Sequence, residues 1–187
     1  MFFGGRLSKF PISCIIEFTP PSSSGLGHRV FSPRIWGSNP HGGTIIVKIS
    51  LAKTSKDFEK CFSVMAQLRT NLSKAEFIEK VKRQQKAGYS LVFMEDKNGV
   101  VAVAGFRISE CLAWGKFLYV DDLVTNEKSR SNGYGGKLFD WLVEYAKKEK
   151  CNELHLDSGV QRFEAHRFYK SKKMSIIAHH FSLSLKK

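Results

Sequence analysis

The chain has 187 residues, 42% of them hydrophobic, which suits one globular domain with a substantial core and leaves little room for two. No apolar run approaches the roughly 18 residues of a membrane span. The four scattered cysteines form no Cys-x-x-Cys pair, so neither a zinc cluster nor a disulfide framework is indicated. This pattern favours the reduced thiols of a cytoplasmic protein. The net charge of +13, from 30 Lys and Arg against 17 Asp and Glu, favours a polyanionic partner such as a nucleic acid, an anionic membrane or a phosphorylated cofactor, without choosing among them.

Residues 1–43 carry turn and loop signals, such as Pro20-Pro21 and Gly42-Gly43, and show no helical period. Glu17 is the only acidic residue among them. Segments poor in acidic residues also occur as organelle presequences, although no amphipathic basic helix is visible here. We therefore predict an irregular, poorly ordered N-terminal extension over residues 1–43 and a folded domain over residues 44–187.

The first half of the domain opens with a β-branched stretch over residues 44–51, which predicts a strand. Apolar side chains at helical spacing over residues 58–65 predict a first helix. A second helix is predicted to begin at the capping box of Ser73 and Glu76, whose side chains can satisfy each other's free backbone N–H groups, and to end near Gly88.

The second half adds a hairpin around the turn sequence Asp96-Lys-Asn-Gly99, then a long strand, a helix, a strand, a short helix and two final strands. These elements are predicted over residues 91–104, 117–125, 133–148, 153–157, 162–170, 176–177 and 181–185. The sum is a mixed α/β (α+β) domain in the order β-α-α-β-β-β-α-β-α-β-β.

A glycine-rich turn joins the long strand to the helix that follows it. The first turn of a helix has unpaired N–H groups and a partial positive charge, and Gly133, Gly135 and Gly136 remove side chains that would keep a phosphate from those donors. Arg130 can add a forked cationic contact to the same oxygens. Leu138 stands where a Walker A loop needs Ser or Thr and where a dinucleotide fingerprint needs glycine, so both of those nucleotide sites are excluded. A purely structural turn explains the glycines but not Arg130.

The motif Arg130-x-x-Gly133-x-Gly135 resembles the pyrophosphate-binding pattern Arg/Gln-x-x-Gly-x-Gly/Ala of the GCN5-related N-acetyltransferase (GNAT) superfamily. The element order over about residues 44–185 is similar as well. The resemblance implies a mixed, mostly antiparallel central sheet with flanking helices, and acetyl-CoA as co-substrate. No carboxylate or cysteine partner of the histidines recurs at ligand spacing, so no metal site is expected. The resemblance also implies that the backbone amides of residues 131–137 bind the pyrophosphate and that residues 123–125 pair with the pantetheine arm like an added strand.

Many members of the superfamily carry Asn near the start of the short helix, in contact with the pantetheine, where this chain offers Ser158. The cofactor-binding residues that the resemblance implies are Leu123, Val124, Thr125, Arg130, Ser131, Asn132, Gly133, Tyr134, Gly135, Gly136, Lys137 and Ser158.

Acetyl transfer requires the amine to lose a proton, and a lysine-like amine with a pKa of about 10.4 costs roughly 4–5 kcal/mol to neutralise at pH 7. Asp121 and Asp122 are candidate proton acceptors, because aspartates are unusual in a strand that is otherwise apolar. Adjacent strand residues face opposite sides, so both can reach one cleft only across a bulge. A solvated strand edge or a salt bridge to a lysine is the alternative. The stretch over residues 115–123 resembles a strand of diamine and polyamine acetyltransferases, which favours Asp121 as the base, with Asp122 second.

The segment Ala165-His-Arg-Phe-Tyr169 resembles the Ala-x-x-Phe-Tyr segment of the same superfamily. Its position after the glycine turn makes Tyr169 the candidate general acid, whose phenol would protonate the departing thiolate. The alternative is a core aromatic on a short amphipathic helix, since buried tyrosines are common there.

The predicted function is transfer of an acetyl group from acetyl-CoA to a primary amine, by direct transfer in a ternary complex, in a monomer or homodimer. Glu110, Asp121, Asp122 and Asp157 could form a locally acidic pocket for a cationic amine, whereas the net charge opposes long-range attraction of a polyamine. A small amine, a peptide N-terminus and a protein lysine all stay open as acceptors. The alternative function is a non-catalytic CoA-binding or basic nucleic-acid-binding regulatory module; nucleic-acid and membrane partners are not expected for the enzyme.

Overall fold

The computed structural model describes residues 46–185 and, for its backbone, the strand Ser13–Ile16. Within these residues, six strands and four α-helices follow in the order β-β-α-α-β-β-β-α-β-α. Their bounds are β1 Ser13–Ile16, β2 Val47–Leu51, α1 Ser55–Met65, α2 Lys74–Gln85, β3 Tyr89–Asp96, β4 Gly99–Cys111, β5 Gly115–Thr125, α3 Tyr134–Lys148, β6 Glu153–Leu156 and α4 Phe163–Ser171, with a 3₁₀ turn over Glu127–Ser129.

All six strands belong to one sheet and lie in chain order from β1 to β6. Neighbouring strands are antiparallel, except that β6 runs parallel to β5. The predicted hairpin is confirmed: β3 and β4 turn over Lys97 and Asn98, with Asp96 opposite Gly99. Gly99 has a φ of +118°, a backbone conformation that favours glycine. The mixed, mostly antiparallel sheet expected from the resemblance is confirmed.

Helices cover both faces of the sheet, so the domain has two apolar layers. On one face, Leu138 of α3 packs in a cluster with Phe106 and Ala104 of β4. On the other face, Phe58 of α1 packs in a cluster with Val103. Val103 and Ala104 are neighbours in β4 and belong to different clusters, as the alternation of side chains along a strand requires. Among the helices in the described part of the chain, none is long and apolar enough to cross a membrane.

Both helices on the second face begin at a capping box. The Thr54 hydroxyl accepts the Asp57 N–H at 3.2 Å, and the Asp57 carboxylate accepts the Thr54 N–H at 2.9 Å. The same reciprocal pair joins Ser73 and Glu76, at 3.3 and 2.9 Å. The start predicted for α2 is therefore confirmed, and the reason is that each box supplies partners for otherwise unpaired amides.

The N-terminal end of the sheet contains a strand that the sequence did not predict. Ser13–Ile16 pairs antiparallel with β2, in a register that joins Ile16 to Val47. Two isoleucines beside a cysteine form too short a pattern to be distinguished from a loop. The irregular extension expected over residues 1–43 otherwise lies outside the described residues, as do residues 44 and 45 of the predicted first strand.

The two final strands predicted over residues 176–177 and 181–185 are wrong. These residues form no regular structure and follow α4 as an irregular segment. Phe181, Leu183 and Leu185 are each more than 80% exposed, at 90%, 83% and 89%. Alternating apolar residues predict one half-buried face, but a strand also needs a neighbouring backbone to pair with. The predicted element order is corrected accordingly: it lacked β1 and carried two strands too many.

Candidate active site

Strand β5 carries a bulge at Asp121. The β4–β5 register pairs Phe106 with Val120 and Gly105 with Asp122, so Asp121 has no partner of its own on β4. An extra residue in one strand disrupts the usual alternation of side chains. Asp121 and Asp122 consequently line the same cavity. The geometric condition for two neighbouring aspartates to reach one cleft is therefore met.

The cavity that they line has a volume of about 260 Å³ and lies between α1, α2, β4 and β5. One part of its wall is apolar and comprises Met65, Leu72, Phe77 and Val81. The polar part comprises Arg69, Lys80, Gln84 and Arg107 together with the two aspartates. We call this space the aspartate cavity.

Each aspartate of the cavity is paired with an arginine. Arg107 donates through Nε to the Asp121 carboxylate at 2.9 Å. Arg69 holds the Asp122 carboxylate with Nε at 2.7 Å and Nη2 at 2.6 Å, and its Nη2 also donates to the backbone oxygen of Asp121 at 3.2 Å. A salt bridge, the alternative to a catalytic role, is therefore present at each aspartate, although the partners are arginines instead of lysine and the pairs lie inside a cavity.

The environment of Asp121 favours a proton acceptor. Burial raises the pKa of Asp121, while the hydrogen bond and the charge of Arg107 act in the opposite direction. The net direction is upward, because removing a carboxylate from water disfavours its charged form. A carboxylate with a raised pKa is a stronger base than an exposed aspartate, and the Arg107 contact fixes its orientation.

Tyr89 supports the second aspartate from across the sheet. Its hydroxyl donates to Asp122 at 3.4 Å, and burial, with the nearby Asp122 charge, raises the pKa of Tyr89 well above its usual range. A Cβ atom at Gly105 would lie 1.9 Å from the Tyr89 hydroxyl oxygen, so only glycine leaves room for this side chain. Gly105 therefore opens the path by which Tyr89 reaches Asp122.

Sequence reasoning missed the residues that surround the aspartates. Arg107 directly follows the apolar residues 100–106 of β4, a signal similar to the one that identified Asp121, and could have been found in that way. Arg69 lies in the irregular segment between α1 and α2, 53 positions from Asp122, and no local pattern connects the two. Glu110 and Asp157, proposed for the same pocket, do not line the aspartate cavity. Asp157 instead accepts a hydrogen bond from Tyr119 and lies 2.9 Å from His180.

The glycine turn presents a series of unpaired amides at the start of α3. Ser131 and Gly133 have φ values of +64° and +77°, and Gly133 forms the N-cap without a side-chain hydrogen bond. Within the described chain, no backbone hydrogen bond uses the N–H groups of residues 131–136. The N–H of Lys137 already donates to the Gly133 oxygen at 3.0 Å, so the series of unpaired N–H groups ends at Gly136. Successive free amides with a helix dipole behind them suit an anion.

Two side chains of the turn have structural partners. Tyr134 is buried and its hydroxyl donates to Asp96 at 3.2 Å, so its backbone N–H, and not its side chain, is available to an anion. Asn132 donates through its side-chain amide to the Ser129 oxygen at 3.3 Å. Gly135 packs close to β5, because a Cβ atom there would lie 2.8 Å from the Thr125 hydroxyl oxygen. The turn and the last residues of β5 are thus in direct contact.

Next to the glycine turn, strand β5 has an unpaired edge in the described sheet. Strand β6 pairs with β5 only over Phe117–Val120, opposite Glu153–Leu156, whereas residues 123–125 pair with β4 alone. Among the described strands, none pairs with the other edge of residues 123–125. The backbone groups on that edge are available to an extended partner.

Tyr169 lies on α4 and packs against α3. Its ring centroid is 6.3 Å from that of Phe139, and burial raises the pKa of its hydroxyl. The hydroxyl makes no hydrogen bond with the residues described in the structure. The hydroxyl oxygen of Ser158 is buried, and it too finds no hydrogen-bond partner in the described chain. A buried hydroxyl without a partner is costly, so a ligand atom that reaches Ser158 would be favoured.

The family model described as "Acetyltransferase (GNAT) family" matches residues 52–173. This chain belongs to the GNAT acetyltransferase family. The acetyltransferase is 33% identical over 121 residues to the uncharacterized N-acetyltransferase YhdJ of Bacillus subtilis (strain 168), a match that covers 64% of this chain and 85% of that protein.

Solved structures share the fold of this acetyltransferase. A transcriptional regulator from Bacillus halodurans C-125 superposes with a TM-score of 0.66 at 21% identity, covering 74% of this chain and 99% of that one. Glucosamine-6-phosphate N-acetyltransferase from Arabidopsis thaliana superposes with a TM-score of 0.60 at 21% identity, covering 75% and 99%. At this level of identity the likeness establishes the fold and leaves the substrate open.

Proposed function

We propose that this GNAT-family chain transfers an acetyl group from acetyl-CoA to a primary amine, directly within a ternary complex. The observation that carries the proposal is the start of α3, where the N–H groups of residues 131–136 are free and Arg130 immediately precedes them. Coenzyme A brings a pyrophosphate, which such a series of amides and a forked guanidinium bind well.

Residues next to the glycine turn would contact the pantetheine arm of coenzyme A. The open edge of residues 123–125 would pair with the amide groups of the pantetheine arm in the manner of an added strand. Ser158 would donate or accept through a hydroxyl that is buried and otherwise unpartnered. Because Thr125 contacts Gly135, the pyrophosphate and pantetheine contacts are adjacent.

The acceptor amine would lie in the aspartate cavity. Asp121 is the proposed base, because burial raises its pKa and Arg107 orients it. Its carboxylate would take one proton from the amine, directly or through water. The amine nitrogen then bonds to the acetyl carbon while the carbon–sulfur bond breaks. Asp122, held by Arg69 and Tyr89, is the second candidate and sits on the same wall.

Tyr169 is the proposed general acid. Its raised pKa keeps the phenol protonated at neutral pH, and no described residue engages its hydroxyl. This hydroxyl would pass its proton to the departing thiolate, and the second proton that the nitrogen loses as the amide forms would restore the phenol, directly or through water. The three cysteines described by the structure are free thiols, which supports a reducing, cytoplasmic compartment for the protein.

The test combines binding and turnover. Saturating acetyl-CoA should protect the protein from thermal unfolding by about 2.7 kcal/mol at one hundred times Kd, and an amine panel should release free thiol. Arg130→Ala removes charge-assisted hydrogen bonds and should weaken acetyl-CoA binding about ten- to one hundredfold. Arg83→Ala, on the exposed end of α2, is the matched control and should bind normally.

The outcomes separate the alternatives. Absence of any protection by acetyl-CoA would remove the basis of the proposal. Protection without thiol release from small amines, peptides or proteins would favour the non-catalytic CoA-binding module. Tight, salt-dependent nucleic-acid binding that survives Arg130→Ala would favour the nucleic-acid-binding alternative.

A further inference from the structure

The aspartate cavity has more positive than negative side chains. Arg69, Lys80 and Arg107 line it against Asp121 and Asp122, so three cations face two carboxylates and the formal sum is +1. Two aspartates alone would suggest a site for a polycation. The net charge of all the side chains that line the cavity is positive instead, which favours an anionic group.

Both carboxylates are already paired before any acceptor arrives. Arg107 lies 2.9 Å from Asp121, and Arg69 lies 2.6 Å from Asp122. A guanidinium has five N–H donors, so each arginine retains donors beyond those that its aspartate uses. Asp121 keeps Oδ1 without a described side-chain partner, whereas Arg69 and Tyr89 engage both oxygens of Asp122. One ammonium group can therefore reach Asp121, but the second ammonium group of a polyamine would have to displace Arg69 or Tyr89 to find a carboxylate.

Lys80 supplies the surplus charge. It lies half-buried on α2, and in the described structure it forms no ion pair with a carboxylate of the cavity. It acts electrostatically on Glu76, one helical turn earlier, but that carboxylate already accepts hydrogen bonds from the hydroxyl and the N–H of Ser73. The lysine thus remains available to a negative group inside the cavity.

We propose that the acceptor is a small primary amine that carries its own anionic group, a carboxylate or a phosphate. The amine lies at Asp121, and the anionic group is bound by Lys80 and the free donors of Arg69 and Arg107. This inference rests on the proposed acetyl transfer and specifies its substrate class. Such a substrate differs from the diamines and polyamines of the acetyltransferases that residues 115–123 resemble.

The size of the cavity agrees with this class. Its volume of about 260 Å³ is below the roughly 300–1,000 Å³ of pockets that enclose drug-sized ligands. A molecule of amino-acid size fits such a space. The anionic group faces the surplus positive charge, whereas the ammonium group finds its carboxylate at the bulge. An amine with one carboxylate is a zwitterion and leaves the formal sum at +1, whereas a diamine would raise it to +3.

The test uses pairs of amines that differ only in the anionic group. Thiol release from acetyl-CoA is measured with β-alanine against propylamine, and with phosphoethanolamine against ethanolamine, which separates the carboxylate from the phosphate. Putrescine represents the polyamines. We expect kcat/KM to be at least tenfold higher for the anionic member of one pair, the gain of about one charge-assisted hydrogen bond.

Lys80→Gln tests the residue assignment. The preference within the favoured pair should fall about tenfold, mainly through a higher KM for the anionic amine. Lys82→Gln, on the exposed face of the same helix, is the control and should keep the preference of the parent protein. Circular dichroism and the melting temperature confirm that both variants fold.

Each result decides the inference. The inference is overturned, with acetyl transfer left intact, if neither anionic amine has a higher kcat/KM than its partner, or if putrescine has a higher kcat/KM than both anionic amines. Binding of acetyl-CoA without turnover of any small amine also overturns it, and directs the proposed function to a peptide or protein amine. A preference for the anionic amine that is unchanged in Lys80→Gln overturns the assignment of Lys80. Failure to bind acetyl-CoA refutes the proposed function itself.

Discussion

Gly105 is the position at which one methyl group should disturb both the sheet and the aspartate cavity. It lies opposite Asp122 at the bulge, and a Cβ atom there would lie 1.9 Å from the Tyr89 hydroxyl oxygen and 2.5 and 2.7 Å from two ring carbons. The Tyr89 ring cannot turn aside easily, because its side chain is 5% exposed and the Arg107 guanidinium lies over it at 5.8 Å from the ring centroid. Gly105→Ala must therefore move a buried ring.

The expected cost follows from the overlap. Overpacking a close-packed site typically destabilises a protein by about 1–3 kcal/mol. In a domain of this size, 1 kcal/mol lowers Tm by roughly 2–4 °C, so Gly105→Ala should lower Tm by roughly 2–12 °C. Displacement of Tyr89 also removes its 3.4 Å hydrogen bond to Asp122, so activity should fall by more than stability alone explains.

Thermal unfolding followed by circular dichroism measures the effect, with Gly136→Ala as the matched control. Among the described residues outside its own helix, a Cβ atom at Gly136 would come within 4 Å of Lys172 alone, at 3.5 Å or more. Alanine favours a helix over glycine by roughly 0.5–1 kcal/mol, so that variant should keep or raise Tm. The double variant Gly105→Ala with Tyr89→Leu should be more stable than the sum of its single effects by at least about 0.5 kcal/mol, since the leucine removes the clashing ring. An unchanged Tm for Gly105→Ala, or strictly additive effects in the double variant, would refute the reasoning.

Three further predictions follow from the site and the caps. Tyr169→Phe should lower kcat about 10²- to 10⁴-fold in the thiol-release assay with little change in the Kd of acetyl-CoA, as loss of a general acid does; equal loss of both would indicate a structural role. Because burial raises the pKa of Asp121, its base form is lost at a higher pH than that of an ordinary aspartate as the solution is acidified. The fall of kcat/KM at low pH should therefore disappear from the pH profile of the less active variant Asp121→Asn. If the same fall persists in that variant, the titration belongs to another group. Ser73→Ala removes the N-cap of α2 and should lower the free energy of unfolding by about 1 kcal/mol, measured as a Tm roughly 2–4 °C lower. An unchanged Tm would show that water replaces the hydroxyl fully and would contradict this prediction.

The parts of the fold that the sequence predicted well are those specified by near neighbours. The capping box of Ser73 and Glu76 and the turn between β3 and β4 each depend on residues within four positions of one another. The glycine turn belongs to the same class, because the free amides of residues 131–136 result from the start of α3 itself. Local chemistry determines these features, so a single sequence contains them.

The errors fall where strands need distant partners. Ser13–Ile16 becomes a strand only by pairing with β2, more than thirty positions later. Residues 181–185 have a better alternating pattern than that segment, yet they form no strand and leave Phe181 exposed. Periodicity indicates which face of a strand would be buried, but it contains no information on which backbone is available beside it.

The aspartate cavity illustrates the same limit for chemistry. The sequence indicates Asp121 and Asp122 because two acids are unusual in an apolar strand. Strand alternation also indicates that both can reach one cavity only across a bulge, and the structure contains that bulge. Their partners could not be inferred, because Arg107 and Arg69 are 14 and 53 positions away and come together only in the folded sheet. The difference reverses the conclusion about charge: two aspartates considered alone indicate a cationic substrate, whereas the same aspartates with Arg69, Lys80 and Arg107 leave an excess positive charge. The substrate class therefore depends on residues that the motif does not contain, and the amine pairs test that dependence directly.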